Sequence, residues 1–111
     1  MPNYAFAVPI LPGEEQRYRE TLEDLEGARR DEYEAALAEA GIRRLATWLQ
    51  EARTGTVSVV YIDADDESGG LKFASAEAPL NTWFREQMKL IYGFDISQTG
   101  PDAKLVHDTA H

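Results

Sequence analysis

Alternating apolar and polar positions predict three β-strands in the first two thirds of the chain. Residues 3–11 form the first strand, with aromatic and β-branched side chains on one face and Pro9 near its end. Because proline has no amide hydrogen, this end of the strand is expected at a sheet edge or a bulge. Residues 42–50 and 56–63 form the second and third strands, and the short turn at 51–55 predicts that they pair as an antiparallel hairpin.

Helical spacing of apolar residues fills the stretches between and after these strands. The first helical stretch follows the first strand and ends at Gly41, and Gly27 interrupts it, which leaves either one kinked helix or two short ones. The second stretch begins at Pro79 and ends at Gly93. Its apolar stripe consists of Leu80, Trp83, Phe84, Met88 and Ile91.

A short helical turn at 71–77 and a short final strand at 104–108 complete the order βαββαβ. That order is the ferredoxin-like split motif, an α+β fold in which a four-stranded antiparallel sheet carries its helices on one face. The chain has 111 residues and no linker or internal repeat, so 1–111 is expected to be a single domain.

The predicted sheet is apolar on both faces. In the third strand, Val57, Val59 and Tyr61 point one way, while Val60 and Ile62 point the other way. Two helical segments cover only one face, and a bare second face would be a larger apolar patch than soluble monomers usually expose. We therefore expect a homodimer in which two copies pack their open sheet faces together.

The order of elements and the two-faced sheet resemble the dimeric α+β barrel superfamily, which is ferredoxin-like in fold. That group includes cofactor-independent monooxygenases, haem-degrading enzymes, sugar mutarotases and many uncharacterised proteins. A small bacterial family of unknown function is more closely similar, over most of the chain. The segments that carry this similarity are 29–34 (RRDEYE), 41–44 (GIRR), 48–50 (WLQ), 60–61 (VY), 83–86 (WFRE) and 93–95 (GFD). The resemblance implies the fold and the dimer, and it implies no particular activity.

The start of the chain is also distantly similar to the sugar mutarotases. The similar features are an Ala-Phe strand, a proline turn and a helix that carries Tyr18. Those enzymes have a helix histidine shortly after that tyrosine, whereas this helix has Thr21 and Leu22 there and no histidine. The resemblance therefore does not extend to mutarotase chemistry.

Composition and charge narrow the class of protein and its partners. The chain is 43% hydrophobic and 28% charged, and it has no cysteine. No apolar run is long enough to span a bilayer, and residues 1–4 lack the basic start of a secretory signal, so a soluble cytoplasmic protein is expected. With 20 acidic against 11 basic residues and a net charge of −9, neither nucleic acid nor an anionic membrane surface is an expected partner.

The sequence carries no motif that specifies a reaction. The candidate ligand-binding residues are arginines, large aromatic residues and one histidine on the predicted elements: Arg29, Tyr33, Trp48, Tyr61, Trp83, Arg85 and His107. Arg29 falls on the apolar face of the first helical stretch, so it either forms a salt bridge or faces a cavity. The aromatic residues are either core or cavity wall. His107 is either an ordinary strand histidine or an acid or base that acts near neutral pH.

No metal ion or other cofactor is expected. Both histidines lie near the C-terminus, and the acidic residues within 63–67 lack the spacing of a calcium-binding loop. An acidic, solvated loop is the expected structure there.

Three hypotheses for the function follow. The first is a homodimer that binds a small organic ligand in a pocket between helices and sheet. The second is a cofactor-independent enzyme, of the monooxygenase or isomerase type, that acts on a small organic substrate in the same pocket. Polar groups such as Arg29, Tyr33 or His107, converging in a deep pocket, would favour the enzyme. The third hypothesis is a purely structural interaction protein, and only the sheet face marks a surface for it.

Overall fold

The computed structural model describes residues 3–98 and residue 109, and these residues form an α+β fold. The strands of this described part are β1 (Asn3–Pro9), β2 (Ile42–Ala52) and β3 (Gly55–Ala64). Its helices are α1 (Glu15–Glu26), α2 (Arg30–Glu39), α3 (Gly69–Ser75) and α4 (Pro79–Tyr92). The first three predicted strands and the predicted helical stretches are confirmed, with small shifts of their ends.

The sheet has the strand order β1-β3-β2, and both outer strands run antiparallel to β3. β1 and β2 are therefore parallel to each other, with β3 between them. The predicted hairpin of β2 and β3 is confirmed, and Pro9 lies on an edge strand of the described sheet. The predicted final strand at 104–108, with His107, lies outside the described residues, so the described sheet has three strands and not the predicted four.

Gly27 divides the first helical stretch into two separate helices. The amide of Arg29 donates to the carbonyl of Asp24 at 2.8 Å, and the amide of Arg30 donates to the carbonyl of Gly27 at 3.1 Å. These bonds span five and three residues, so the regular spacing of four is lost between α1 and α2. Of the two alternatives that the sequence leaves open, the structure has two short helices.

The helices pack on one face of the sheet. Val60 and Ile62 of β3 form a buried cluster with Leu25, Phe73 and Leu80, which come from α1, α3 and α4. The inward-facing side chains of β1 and β2 pack against this cluster, among them Tyr4, Phe6 and Leu45. The inner face of the sheet and the helices α1, α3 and α4 thus share one hydrophobic core.

The other face of the sheet is open in the described part of the chain. Strand pairing places Ala5, Tyr61 and Ala46 in one row across this face, and Ala7, Val59 and Trp48 in the next row. Trp48 is 53% exposed. The expected two-faced sheet is thus present, and one of its apolar faces is bare.

Among the residues the structure describes, no helix combines the length and the apolar character needed to cross a membrane.

Candidate functional site

A cavity of about 640 Å³ lies between the inner face of the sheet and the helices. Its walls are mainly apolar and include Phe6, Val8, Leu22, Leu45, Val60, Phe84 and Met88. Asn3, Glu67 and Leu71, which are exposed, also line it. The cavity therefore reaches the protein surface, and a small molecule has a route into it.

The start of α3 closes one side of the cavity by lying directly against β1. The amide of Gly70 donates a hydrogen bond to the hydroxyl of Tyr4 at 2.8 Å. A Cβ atom at position 70 would overlap that same hydroxyl. Any larger residue here would have to displace the side chain of Tyr4, so glycine favours the close approach of helix and strand.

Three hydroxyl groups meet between β3 and the helices α1 and α4, and we call Tyr18, Ser58 and Tyr92 the hydroxyl cluster. The Tyr18 hydroxyl and Ser58 Oγ lie 2.6 Å apart, and the Tyr92 hydroxyl lies 3.0 Å from Ser58 Oγ and 3.5 Å from the Tyr18 hydroxyl. Tyr18 is 2% exposed and Ser58 is fully buried. The two tyrosine rings, with centroids 6.0 Å apart, line the cavity themselves.

Burial makes two of the cavity tyrosines harder to ionise. It raises the pKa of Tyr33 to about 12, with a smaller contribution from the negative charge of Glu26. Burial also raises the pKa of Tyr92 well above its ordinary value, and Tyr18 contributes in the same direction. At neutral pH both side chains are therefore hydrogen-bond donors and not phenolate bases.

The cavity offers little charge to a ligand. Within residues 3–98 no lysine, arginine or histidine lines it, and Glu67, an exposed residue, is the one acidic side chain in that lining. In the same range no group of three or more His, Asp or Glu side chains is placed to hold a metal ion.

Arg29 and Trp83, both candidate ligand-binding residues, contact each other outside the cavity lining. The guanidinium of Arg29 lies 4.1 Å from the centre of the Trp83 ring, a cation–π contact. Its Nη1 atom also lies 3.9 Å from a carboxylate oxygen of Glu32. Of the two alternatives for Arg29, the structure has the salt bridge, which is long and partly exposed.

Arg85 has a structural contact set. Its Nη1 group donates to the carbonyls of Ala74 at 2.8 Å and Ala76 at 2.5 Å, and its Nη2 group donates to Thr82 Oγ1 at 3.3 Å. These carbonyls belong to the last turn of α3 and the residue that follows it, where a helix leaves acceptors unpaired. Arg85 therefore fastens the end of α3 to α4.

The remaining candidates divide between the two faces of the sheet and the part outside the described residues. Tyr33 lines the cavity, and its ring meets Phe73 edge-on. Trp48 and Tyr61 lie on the open face, where the guanidinium of Arg44 is 5.8 Å from the Tyr61 ring centre. His107 is outside the described residues. Of the six candidates that the structure describes, Tyr33 alone lines the cavity.

None of the three residues of the hydroxyl cluster is among the candidates from the sequence, although Ser58 and Tyr92 each carry a signal. Ser58 falls in the inward-facing row of β3 with Val60 and Ile62, and a polar residue within such a row needs a buried partner. Tyr92 follows Met88 by four residues and so lies on the apolar stripe of α4.

Comparison of the chain with protein-family models, with curated proteins and with solved structures found no significant match. The geometry of the cavity and of the sheet is therefore the basis on which function is inferred.

Proposed function

We propose that this protein binds a small, largely apolar organic molecule in the cavity between its helices and its sheet. The cavity is the observation that carries the proposal, because its 640 Å³ falls within the range of about 300–1,000 Å³ typical of small-molecule sites. Apolar walls with a few polar groups in fixed positions are also typical of such sites.

The alternative, a cofactor-independent enzyme, has less support. A general base works best with a pKa near the operating pH, and burial moves Tyr33 and Tyr92 away from that range. Arg29, which would favour the enzyme if it faced the pocket, contacts Trp83 instead. The hydroxyls of the tyrosines that line the cavity are suited to holding a ligand more than to removing a proton from it.

For the fold, we propose the ferredoxin-like arrangement of the dimeric α+β barrel superfamily. The parallel pair β1 and β2 with β3 between them is consistent with the split motif of that fold, as is the layer of helices on one face. β1 has an unpaired outer edge within the described sheet, and a fourth strand at 104–108 would extend that edge.

The homodimer expected from the sequence is our proposal for the open sheet face. The two central rows of this face carry no charge: Ala5, Tyr61 and Ala46, then Ala7, Val59 and Trp48. Because each chain has a net charge of −9, two copies repel each other least where their surfaces are uncharged. Trp48 adds the large aromatic surface that is enriched in interfaces. A second copy of the chain is therefore the proposed occupant.

Filling the cavity from β2 tests the binding proposal. Thr47 is half-buried and lines the cavity, so Thr47→Phe places a ring in that space. The probe is N-phenyl-1-naphthylamine, a neutral dye whose fluorescence rises in apolar sites. We expect saturable binding of the dye to the wild-type protein. We expect Thr47→Phe to weaken binding about tenfold or more, because the ligand loses apolar contact area.

Thr47→Val is the matched control, since it nearly preserves the volume of the side chain and leaves the cavity open. It is expected to keep the wild-type dissociation constant within about twofold. Circular dichroism and thermal melting establish that both variants fold. The proposal is wrong if the wild type shows no saturable binding, or if folded Thr47→Phe binds the dye as tightly as Thr47→Val does.

A further inference from the structure

We infer that the cavity selects a neutral ligand with a hydrogen-bond acceptor, such as a ketone or ester carbonyl, and that the hydroxyl cluster recognises this acceptor. The inference rests on the proposed function, because it specifies the class of ligand for the same cavity. Tyr18, Ser58 and Tyr92 are the residues that carry it.

The hydroxyl cluster has more protons than it has short hydrogen bonds between its members. Three hydroxyls have three protons, but only the contacts of Ser58 Oγ with Tyr18 at 2.6 Å and with Tyr92 at 3.0 Å are short. If Tyr92 donates to Ser58 and Ser58 donates to Tyr18, the proton of Tyr18 has only Tyr92, at 3.5 Å, within the cluster. That distance is beyond the usual range for a hydroxyl donor, so the proton of Tyr18, a residue of the cavity lining, is the weakly paired one in this arrangement.

The protonation of the cluster decides which ligand group it suits. Tyrosine is protonated at neutral pH, and burial raises the pKa of Tyr92 further, so Tyr92 can donate to Ser58. In the arrangement above, Tyr18 accepts from Ser58 and keeps one proton with no short partner in the cluster, so Tyr18 can donate to a ligand. The complementary group on a ligand is therefore an acceptor, and a carbonyl oxygen offers two lone pairs without a charge.

The electrostatics of the lining favour a neutral ligand over an anion. No cation lines the cavity within residues 3–98, and the exposed Glu67 contributes a negative charge. An anion moved from water into such a space loses its hydration without gaining a paired cation. The net charge of −9 on the chain adds a repulsive field around it.

Three naphthalenes that differ in one substituent test the inference by displacing N-phenyl-1-naphthylamine at pH 7. They are 2-acetylnaphthalene, a ketone; 2-ethylnaphthalene, its hydrocarbon analogue; and 2-naphthoate, an anion. We expect the ketone to bind about threefold to tenfold more tightly than the hydrocarbon, the gain from one net hydrogen bond. We expect the anion to bind more weakly than both.

A substitution in the cluster assigns the preference to its hydroxyls. Tyr18→Phe keeps the ring and removes one hydroxyl, so the advantage of the ketone over the hydrocarbon should fall below about twofold, while the affinity for 2-ethylnaphthalene stays the same. Tyr92→Phe is the second variant, with the same expected result, should Tyr18→Phe fail to fold. Tyr61→Phe removes a hydroxyl from the opposite face of the sheet and is expected to keep the wild-type preference.

The outcomes separate this inference from the proposal beneath it. Equal binding of ketone and hydrocarbon, a ketone preference that survives in folded Tyr18→Phe and Tyr92→Phe, or tightest binding of 2-naphthoate would overturn the inference while leaving ligand binding in place. If neither the dye nor any naphthalene binds, the proposed function fails, and the inference fails with it.

Discussion

Tyr33 occupies a wall of the cavity in which its hydroxyl resists ionisation. Its ring meets that of Phe73 edge-on, with centroids 6.1 Å apart and planes at 73°. Burial raises the pKa of Tyr33 to about 12, from an ordinary value of 10.0. Between these two values the unfolded chain releases the proton of Tyr33 and the folded chain retains it.

Stability should therefore fall with rising pH from about 10 to about 12, because the folded state then binds more protons than the unfolded state. A single such group contributes a slope of at most about 1.4 kcal/mol per pH unit. Tyr33→Phe has no proton to lose at this position, so its stability should decline less steeply. Urea unfolding at several pH values measures both slopes.

Below about pH 9 the wild type and Tyr33→Phe are expected to show the same pH dependence, since Tyr33 is protonated in both states of the chain there. Parallel declines above pH 10 would show that the hydroxyl of Tyr33 is not shielded from solvent in the folded protein.

At the residue scale, the sequence predicts which side chains face inward, but it does not predict which residues they contact there. The inward alternation of β3 is visible in the sequence, and Ser58 follows it. The partner of Arg29 is not visible, because its contact with Trp83 depends on the rotation of α2 relative to α4. Helical period fixes the face of a residue on its own helix, and it leaves the orientation between helices open.

At the scale of elements, α4 shows how proline and glycine set helix ends. Pro79 begins the helix, where its missing amide hydrogen costs nothing. Gly93 follows the last residue with φ 86° and ψ 8°, in the left-handed region, and its amide donates to the carbonyl of Lys89 at 2.9 Å. Both ends were predicted from the sequence and are confirmed.

Replacing Gly93 tests how much this helix end depends on glycine. We expect Gly93→Ala to lower the free energy of unfolding by about 1–2 kcal/mol, because a side chain disfavours the left-handed region. Gly93→Asn adds the same Cβ atom, 3.2 Å from Leu11 Cδ1, yet asparagine tolerates this conformation better. Urea unfolding should therefore place Gly93→Asn between the wild type and Gly93→Ala.

Equal losses for Gly93→Ala and Gly93→Asn would attribute the cost to the contact with Leu11 and not to the backbone.

Local patterns account for the elements, and they do not account for the cavity. The hairpin of β2 and β3, the break at Gly27 and the end of α4 each follow from a few neighbouring residues. The space between sheet and helices depends on the distance at which the helices pack. That distance in turn involves Gly70 and the hydroxyl of Tyr4, which are 66 residues apart in the sequence. No periodicity within one element records such a distance.

At the scale of the whole molecule, the bare sheet face makes a prediction about assembly. We expect the wild type to have twice the 12.4 kDa mass of one chain in size-exclusion chromatography with light scattering. Trp48→Glu puts a charge into the uncharged rows, so this variant should be mainly monomeric, because a buried unpaired charge is strongly disfavoured at an interface.

Leu90→Glu is the matched control, since Leu90 lies on α4 and is 50% exposed, close to the 53% of Trp48. It is expected to keep the mass of the dimer. A monomeric wild type at high protein concentration, or equal dissociation of both variants, would remove the sheet face as the proposed interface.

One strand supplies both surfaces. Ser58, Val60 and Ile62 of β3 face the helix side, and Val57, Val59 and Tyr61 alternate with them on the open side. Thermodynamic reciprocity follows if the proposed ligand and the proposed second copy both bind. A ligand with unequal affinity for monomer and dimer changes the association constant by a fixed factor, and association changes the ligand affinity by that same factor. The affinity for the ligand would then depend on the concentration of the protein itself.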